Sequence, residues 1–113
     1  MKTNSTKITI EPAETYTLAQ LVNYSEGAIV SRIITKQTSG TITLFAFDEG
    51  ESLSEHTVPY DAFVYILEGN AEFVIDNTPV AVSIGECILL PANIPHTVLA
   101  SQQLKMLLTM LKS

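Results

Sequence analysis

From residue 28 onward apolar and polar positions alternate with a period close to two, the repeat of a strand whose successive side chains point to opposite faces. AIVSRIITK (28–36) alternates loosely, and Ser39-Gly40 then supplies a turn into TITLFAF (41–47), where Ile42, Leu44 and Ala46 oppose Thr41, Thr43, Phe45 and Phe47. AFVYILE (62–68) is apolar on both faces, which predicts a strand covered on both sides. Gly69-Asn70 turns into AEFVID (71–76), Asp76-Asn77 turns into PVAVSI (79–84), and ECILL (86–90) follows Gly85. HTVLA (96–100) and KMLLTML (105–111) read as the last strands. A helix over 104–112 competes, because Leu and Met are good helix formers. The alternation of Leu104, Met106, Leu108 and Met110 with Lys105 and Thr109 favours a strand.

Ahead of this pattern, TLAQLV (17–22) is long enough for one short helical turn, and KITI (7–10) is β-prone. Roughly eight to ten short strands, with turn signals at about 8–12-residue spacing, predict an all-β sandwich or barrel. A chain of 113 residues suits one domain, an N-terminal arm over 1–25 and a barrel over about 28–112, with no internal repeat. An all-β chain closes its edges or pairs them with another chain. The doubly apolar strand and KITI therefore predict a homodimer sharing sheet area.

Charge narrows the partners. Six basic residues against twelve acidic ones give a formal charge of -6, which repels a phosphate backbone, so nucleic acid is not an expected partner. The opening residues lack the apolar run of a secretory signal and no stretch approaches a membrane span, so a cytoplasmic protein without a membrane partner is expected. The single cysteine, Cys87, excludes an intramolecular disulfide.

The residues that carry chemistry are few. His56 precedes one proline turn and His96 follows another, and two neutral imidazoles on adjacent strands are suited to a divalent transition metal. Two ligands are too few alone, and the missing carboxylate has three candidates, Asp61, Glu55 and Glu51. If His56 points inward, alternation turns Val58, Tyr60 and Ala62 inward and Glu55 and Asp61 outward, unless Pro59 breaks the pattern. The plainer alternative makes both histidines partly buried polar residues with hydrogen-bond partners. Tyr60, Asp61 and Cys87 complete a candidate pocket, although a cysteine beside Ile88, Leu89 and Leu90 also suits a small core position. The acidic stretch DEGESLSE (48–55) reads as a solvated turn. No nucleophile elbow or phosphate-cradling glycine loop occurs.

The spacing of these residues resembles the cupin superfamily, in particular the small single-domain bacterial cupins of the cupin 2 conserved-barrel type. In the first motif, G-x5-H-x-H-x3/4-E-x6-G, Gly50, His56 and Gly69 match, while Val58 replaces the second histidine and Ala62 the glutamate. In the second, G-x5-P-x-G-x2-H-x3-N, Gly85, Pro91 and His96 match, while Asn93 replaces the glycine and Ala100 the asparagine.

The resemblance implies a double-stranded β-helix of jelly-roll type with both histidines at the barrel mouth. It also implies a metal set reduced from three histidines and a glutamate to His56 and His96. The resulting expectation is a barrel that binds a small polar molecule in its mouth, with or without a weakly held Mn, Fe, Co, Ni or Zn ion. A metal-dependent oxygenase or isomerase working through His56 and His96, and a metal-free structural or interaction barrel, are the alternatives.

Overall fold

The structure is a computed structural model that describes residues 2–112, with side chains from residue 5. Among the described residues ten strands form two facing sheets, the all-β barrel that alternation predicts and the jelly roll that the resemblance implies. They are β1 (Lys2–Lys7), β2 (Ala28–Gln37), β3 (Gly40–Phe47), β4 (Ser52–His56), β5 (Asp61–Glu68), β6 (Asn70–Ile75), β7 (Thr78–Ser83), β8 (Cys87–Leu90), β9 (His96–Leu99) and β10 (Leu104–Leu111). The larger sheet runs β1-β2-β3-β10-β5-β8 and the smaller β4-β9-β6-β7. β10 is a strand, as its alternation requires, and it lies between β3 and β5 of its own chain, so KMLLTML closes its own barrel.

Alternation sorts the side chains into two cores. Phe47, Val64, Ile66, Phe73 and Met106 point between the sheets and are fully buried with Ile29 and Leu104. Each such side chain contributes about 1.5–3 kcal/mol by leaving water. The intervening positions of the larger sheet, Val30, Leu44 and Ala46, face outward and are covered by Val22 with Leu18, Leu21 and Tyr24 from the N-terminal arm. The arm's helical turn is a 3-10 turn at Leu18–Gln20. Lys105 pins it. Its ammonium donates to the Ala19 carbonyl at 2.6 Å, lies 3.8 Å from Glu68 Oε1 and sits 4.9 Å from the centre of the Tyr24 ring.

Three expectations change. The arm's strand is the polar KTNSTK of β1, paired in parallel with β2, and KITI contributes only Lys7 to it. Half of DEGESLSE is strand: β4 takes its order from pairing with β9 rather than from an apolar face of its own. β5 is fully covered on its inner face but only in part on the outer one, where Leu67 packs under the arm while Phe63 and Tyr65 remain 41% and 37% exposed. The arm covers the outer face around β2 and β3 and the C-terminal end of β5 at Leu67, and leaves Phe63 and Tyr65 uncovered.

Candidate functional site

The two histidines meet because their strands pair. Gly50 N–H donates to the Ala100 carbonyl at 2.7 Å and Ala100 N–H to the Glu51 carbonyl at 3.0 Å, which sets the start of the β4–β9 ladder. Ser52 then faces Leu99 and Leu53 faces Val98, but the next pair is His56 with His96. Three positions on β4 thus span two on β9, the signature of a β-bulge, and regular pairing would have set Glu55 opposite His96 instead. The bulge turns the imidazole of the solvent-exposed His56 onto His96 at the edge of the cavity, where regular pairing would bring a carboxylate.

The ring nitrogens are fixed in a defined sense. His56 Nδ1 lies 2.8 Å from the Ser54 carbonyl oxygen and His96 Nδ1 lies 3.2 Å from that of Ile94. A carbonyl oxygen only accepts, so both Nδ1 atoms carry hydrogen and donate, and in the neutral rings both Nε2 atoms carry lone pairs. Those two Nε2 atoms are 3.1 Å apart, with the rings edge to face at 4.3 Å between centroids. Two lone pairs held this close need positive charge between them, either a proton on one ring or a cation shared by both. His96 is 4% exposed. Its pKa is lowered, mainly because burial disfavours the charged ring and further because of neighbouring His56, against an opposing contribution from the Ile94 carbonyl.

Below the pair lies an apolar cavity between the sheets. Phe45, Leu53, Phe73, Val98, Met106 and Leu108 form most of its wall, and the two imidazoles are its polar lining. It leaves about 60 Å³ for the centres of water-sized molecules, against roughly 10–15 Å³ needed for one water on the same measure. Val58 and Ala62 also line it, so the two positions where the motif carries further ligands face the same space as the histidines, with side chains that cannot coordinate. The mouth loops are tied together: Asn93 N–H donates to the Val58 carbonyl at 2.7 Å and Ala92 N–H to Asp61 Oδ1 at 2.9 Å. Asn93 has φ +66°, a left-handed conformation that asparagine tolerates, which explains how it can stand where the motif has glycine.

The other expected site residues lie elsewhere. Asp61 is exposed at the outward-facing start of β5, with Oδ1 engaged by Ala92, so it does not line the cavity. Cys87 is exposed opposite Tyr65 at the β8 edge, because the parity of β8 buries Leu90 and not Cys87. Tyr60 packs its ring against the Lys112 ammonium and is not part of the cavity wall, since the bend at Pro59 interrupts the alternation between Val58 and Ala62. Glu55 is exposed, as the inward turn of His56 demands. The methionine and leucine wall from β10 was absent from the expected pocket, although the inward parity of Met106, Leu108 and Met110 is readable from their spacing.

The donor set thus fits two coordination positions. A 3.1 Å separation matches two nitrogens held about 2.1 Å from one ion at close to a right angle. Among the described residues no group of three or more His, Cys, Asp and Glu side chains is placed to hold an ion.

Comparison with known proteins places this geometry in a family. A protein of unknown function from Streptococcus pyogenes, SPY1581, has 36% identity, a TM-score of 0.87, and coverage of 92% of this chain and 91% of its own. A cupin 2 conserved barrel domain protein from Leptotrichia buccalis is 41% identical with a TM-score of 0.83 over 86% of this chain and 47% of its own. Among curated proteins, SchB of Streptomyces halstedii is 32% identical over 79 residues, 66% of this chain, which spans 57% of SchB. The profile of the cupin domain, Cupin_2, matches residues 43–110. With its two sheets, its paired motif turns and that match over more than half its length, the chain belongs to the Cupin_2 family of cupin domains.

Proposed function

We propose that this cupin binds a small molecule with an apolar body and one oxygen-bearing head group, the body in the cavity and the head at His56 and His96. The observation that carries the reading is the pair of Nε2 lone pairs converging at 3.1 Å above an otherwise apolar cavity. An apolar barrel filled only for stability has no use for two imidazoles aimed at one point, one of them the buried His96, since a buried polar group costs free energy unless it is paired.

The chain's residues divide the work. The Ser54 and Ile94 carbonyls hold the rings in the tautomer that presents Nε2. Burial keeps His96 neutral, so its lone pair stays available at neutral pH. Val58 and Ala62 leave room and coordination positions for the ligand itself, while Phe45, Leu108 and their neighbours exclude water from its body. A divalent transition metal on the two nitrogens would supply a Lewis-acidic seat for the head-group oxygen, held weakly because only two protein ligands contribute.

The test is metal binding by untagged protein, by elemental analysis and by calorimetric titration with Mn, Co, Ni and Zn, beside a His56→Ala/His96→Ala variant. One ion per chain in the wild type, absent from the variant, is the expected result. Equal uptake by both, or none by either, would overturn the metal part. Thermal stabilisation of the wild type by no compound in a broad panel of small organic molecules would overturn the ligand part.

We further propose that the chain is a homodimer. Phe63 and Tyr65, beside Leu89 of β8 and with Leu111 of β10, leave an apolar outer face that the arm does not cover. A second copy related by a two-fold axis would meet it with the same apolar surface.

A further inference from the structure

We infer that the head group this site selects is a hydroxyl, a neutral hydrogen-bond donor, on a short hydrocarbon body, an inference that rests on the small-molecule reading above and names its ligand class. The argument starts from a count of hydrogens. Each Nδ1–H is spent on a main-chain carbonyl, that of His56 on Ser54 at 2.8 Å and that of His96 on Ile94 at 3.2 Å. The neutral rings cannot satisfy each other across the 3.1 Å between their Nε2 atoms. Moving a hydrogen onto either Nε2 strips the Nδ1 of the same ring and sets a lone pair against a carbonyl oxygen. The pair therefore only accepts, and a hydrogen that satisfies it without charging a ring comes from a ligand.

The rest of the lining sorts the head groups. Among the described residues the cavity wall holds no carboxylate and, beyond the two imidazoles, no side chain with a polar hydrogen. A carboxylate, ketone or ether brings acceptors to a pair that already accepts. An amide donates through nitrogen, but its carbonyl finds no donor. An ammonium donates too, yet the acidic residues behind the net charge of -6 lie outside the cavity wall, so the cation enters apolar surroundings without a carboxylate partner. A hydroxyl stays neutral and keeps its oxygen on the side of the exposed His56, where water reaches it. From a position roughly 2.9 Å from each nitrogen it directs one hydrogen between the two lone pairs in a three-centre bond. The body is limited by volume. The cavity leaves about 60 Å³ for the centres of water-sized molecules. At roughly 10–15 Å³ for each water-sized atom, that is room for about four to six non-hydrogen atoms. Phe45, Phe73, Val98 and Leu108 around them suit hydrocarbon, so the class is a short-chain alcohol.

The test is NMR titration of untagged protein, kept metal-free by a chelator, with 1-butanol, its isomer methyl propyl ether and butylammonium, read at the amides of the cavity wall. Wild type is expected to bind the alcohol roughly three- to tenfold more tightly than either of the other two, and His56→Ala/His96→Ala to lose that preference. His56→Ala alone changes an exposed side chain, and is expected to narrow the preference with the fold kept. Equal affinity of the wild type for alcohol and ether, or tighter binding of butylammonium, overturns the inference and leaves the small-molecule reading standing. A preference that persists undiminished in both variants also overturns it, because the hydroxyl would then lie away from the pair. Tighter binding of 1-octanol than of 1-butanol at the same amides overturns the size limit. Binding of none of these compounds overturns the inference, whereas the small-molecule reading falls only if the broad panel fails as well.

Discussion

His56 faces His96 because β4 carries one residue more than β9 between the Leu53–Val98 and His56–His96 pairs. Removing that extra residue would return Glu55 to the position opposite His96 and replace an N/N pair with an O/N pair. A Ser54 deletion is therefore expected to abolish the preference for late transition metals such as Ni and Zn while preserving the fold, since bulges at sheet edges are local. Circular dichroism with metal titrations on the deletion variant would check it, and unchanged metal preference would argue that the pairing does not select the donor.

Val58 and Ala62 face the cavity beside the two histidines, so the missing donors are absent in chemistry and not in geometry. A Val58→His substitution should raise affinity for Zn or Ni at least about tenfold by supplying a third nitrogen. The added volume at a partly enclosed site should cost roughly 1–3 kcal/mol of stability. Competition titrations against a chromophoric chelator, with urea unfolding alongside, measure both. A stable variant with unaltered affinity would place the wild-type ion away from this pair.

Much of this arrangement was legible in the sequence, and the limits have physical causes. The strands of the barrel from β2 onward, β4 excepted, carry an apolar side, and burial writes that side into the sequence as alternation; Phe73, Val82 and Met106 are examples. β1 and β4 carry no such signal. KTNSTK pairs through its backbone, which is blind to side-chain polarity, and SLSEH is an edge segment whose last three residues are exposed. Motif spacing pointed to His56 and His96 together, but nothing in the spacing reveals that both Nδ1 atoms are spent on carbonyls, and that fact turns two polar residues into converging donors. Tyr60 lies off the cavity because the Pro59 bend interrupts parity, Asp61 faces outward as regular alternation from His56 predicts, and Cys87 falls on the exposed face of β8; polarity is a poor sign of a site whose walls are almost wholly apolar.

Acidification should destabilise the metal-free protein through His96. Burial lowers its folded-state pKa below the ordinary 6.5, so on acidification the unfolded chain takes up the proton first. The stabilising contribution is fully present above about pH 6.5 and is lost as pH falls from there towards the lower folded-state value. Urea midpoints in the presence of a chelator should fall over that window in the wild type and fall less in a His96→Gln variant. Parallel slopes for the two proteins would assign the acid sensitivity to other groups.

The uncovered half of the larger sheet leads to an oligomeric prediction. Phe63 is the register partner of Leu89, and both are exposed, at 41% and 57%. A Phe63→Glu/Leu89→Lys variant should sediment as a monomer where the wild type sediments as a dimer, with little change in the fold because neither side chain contributes to the barrel core. Wild type that sediments as a monomer at tens of micromolar would end the homodimer proposal.

Lys105 is the pin that holds the arm to the barrel, and its removal should free the arm without opening the core. The ammonium is buried, donates to the Ala19 carbonyl and lies near Glu68 and the Tyr24 ring, while Tyr24 donates its hydroxyl to Glu68 Oε1 at 2.8 Å. Burial first, and then the hydrogen bond and charge of Glu68, push the Tyr24 hydroxyl well above the ordinary phenol range, so it remains a donor at any pH the fold tolerates. Lys105→Met leaves the Ala19 carbonyl and Glu68 without their cation and should cost about 1–3 kcal/mol. Tyr24→Phe removes one hydrogen bond and should cost about 1 kcal/mol. Hydrogen exchange should accelerate over residues 17–27 in Lys105→Met while amides of β5 and β6, whose inner faces pack the main core, keep their protection. Uniform loss of protection across both regions would mean that arm and barrel unfold as one cooperative unit and that Lys105 supports the whole sheet.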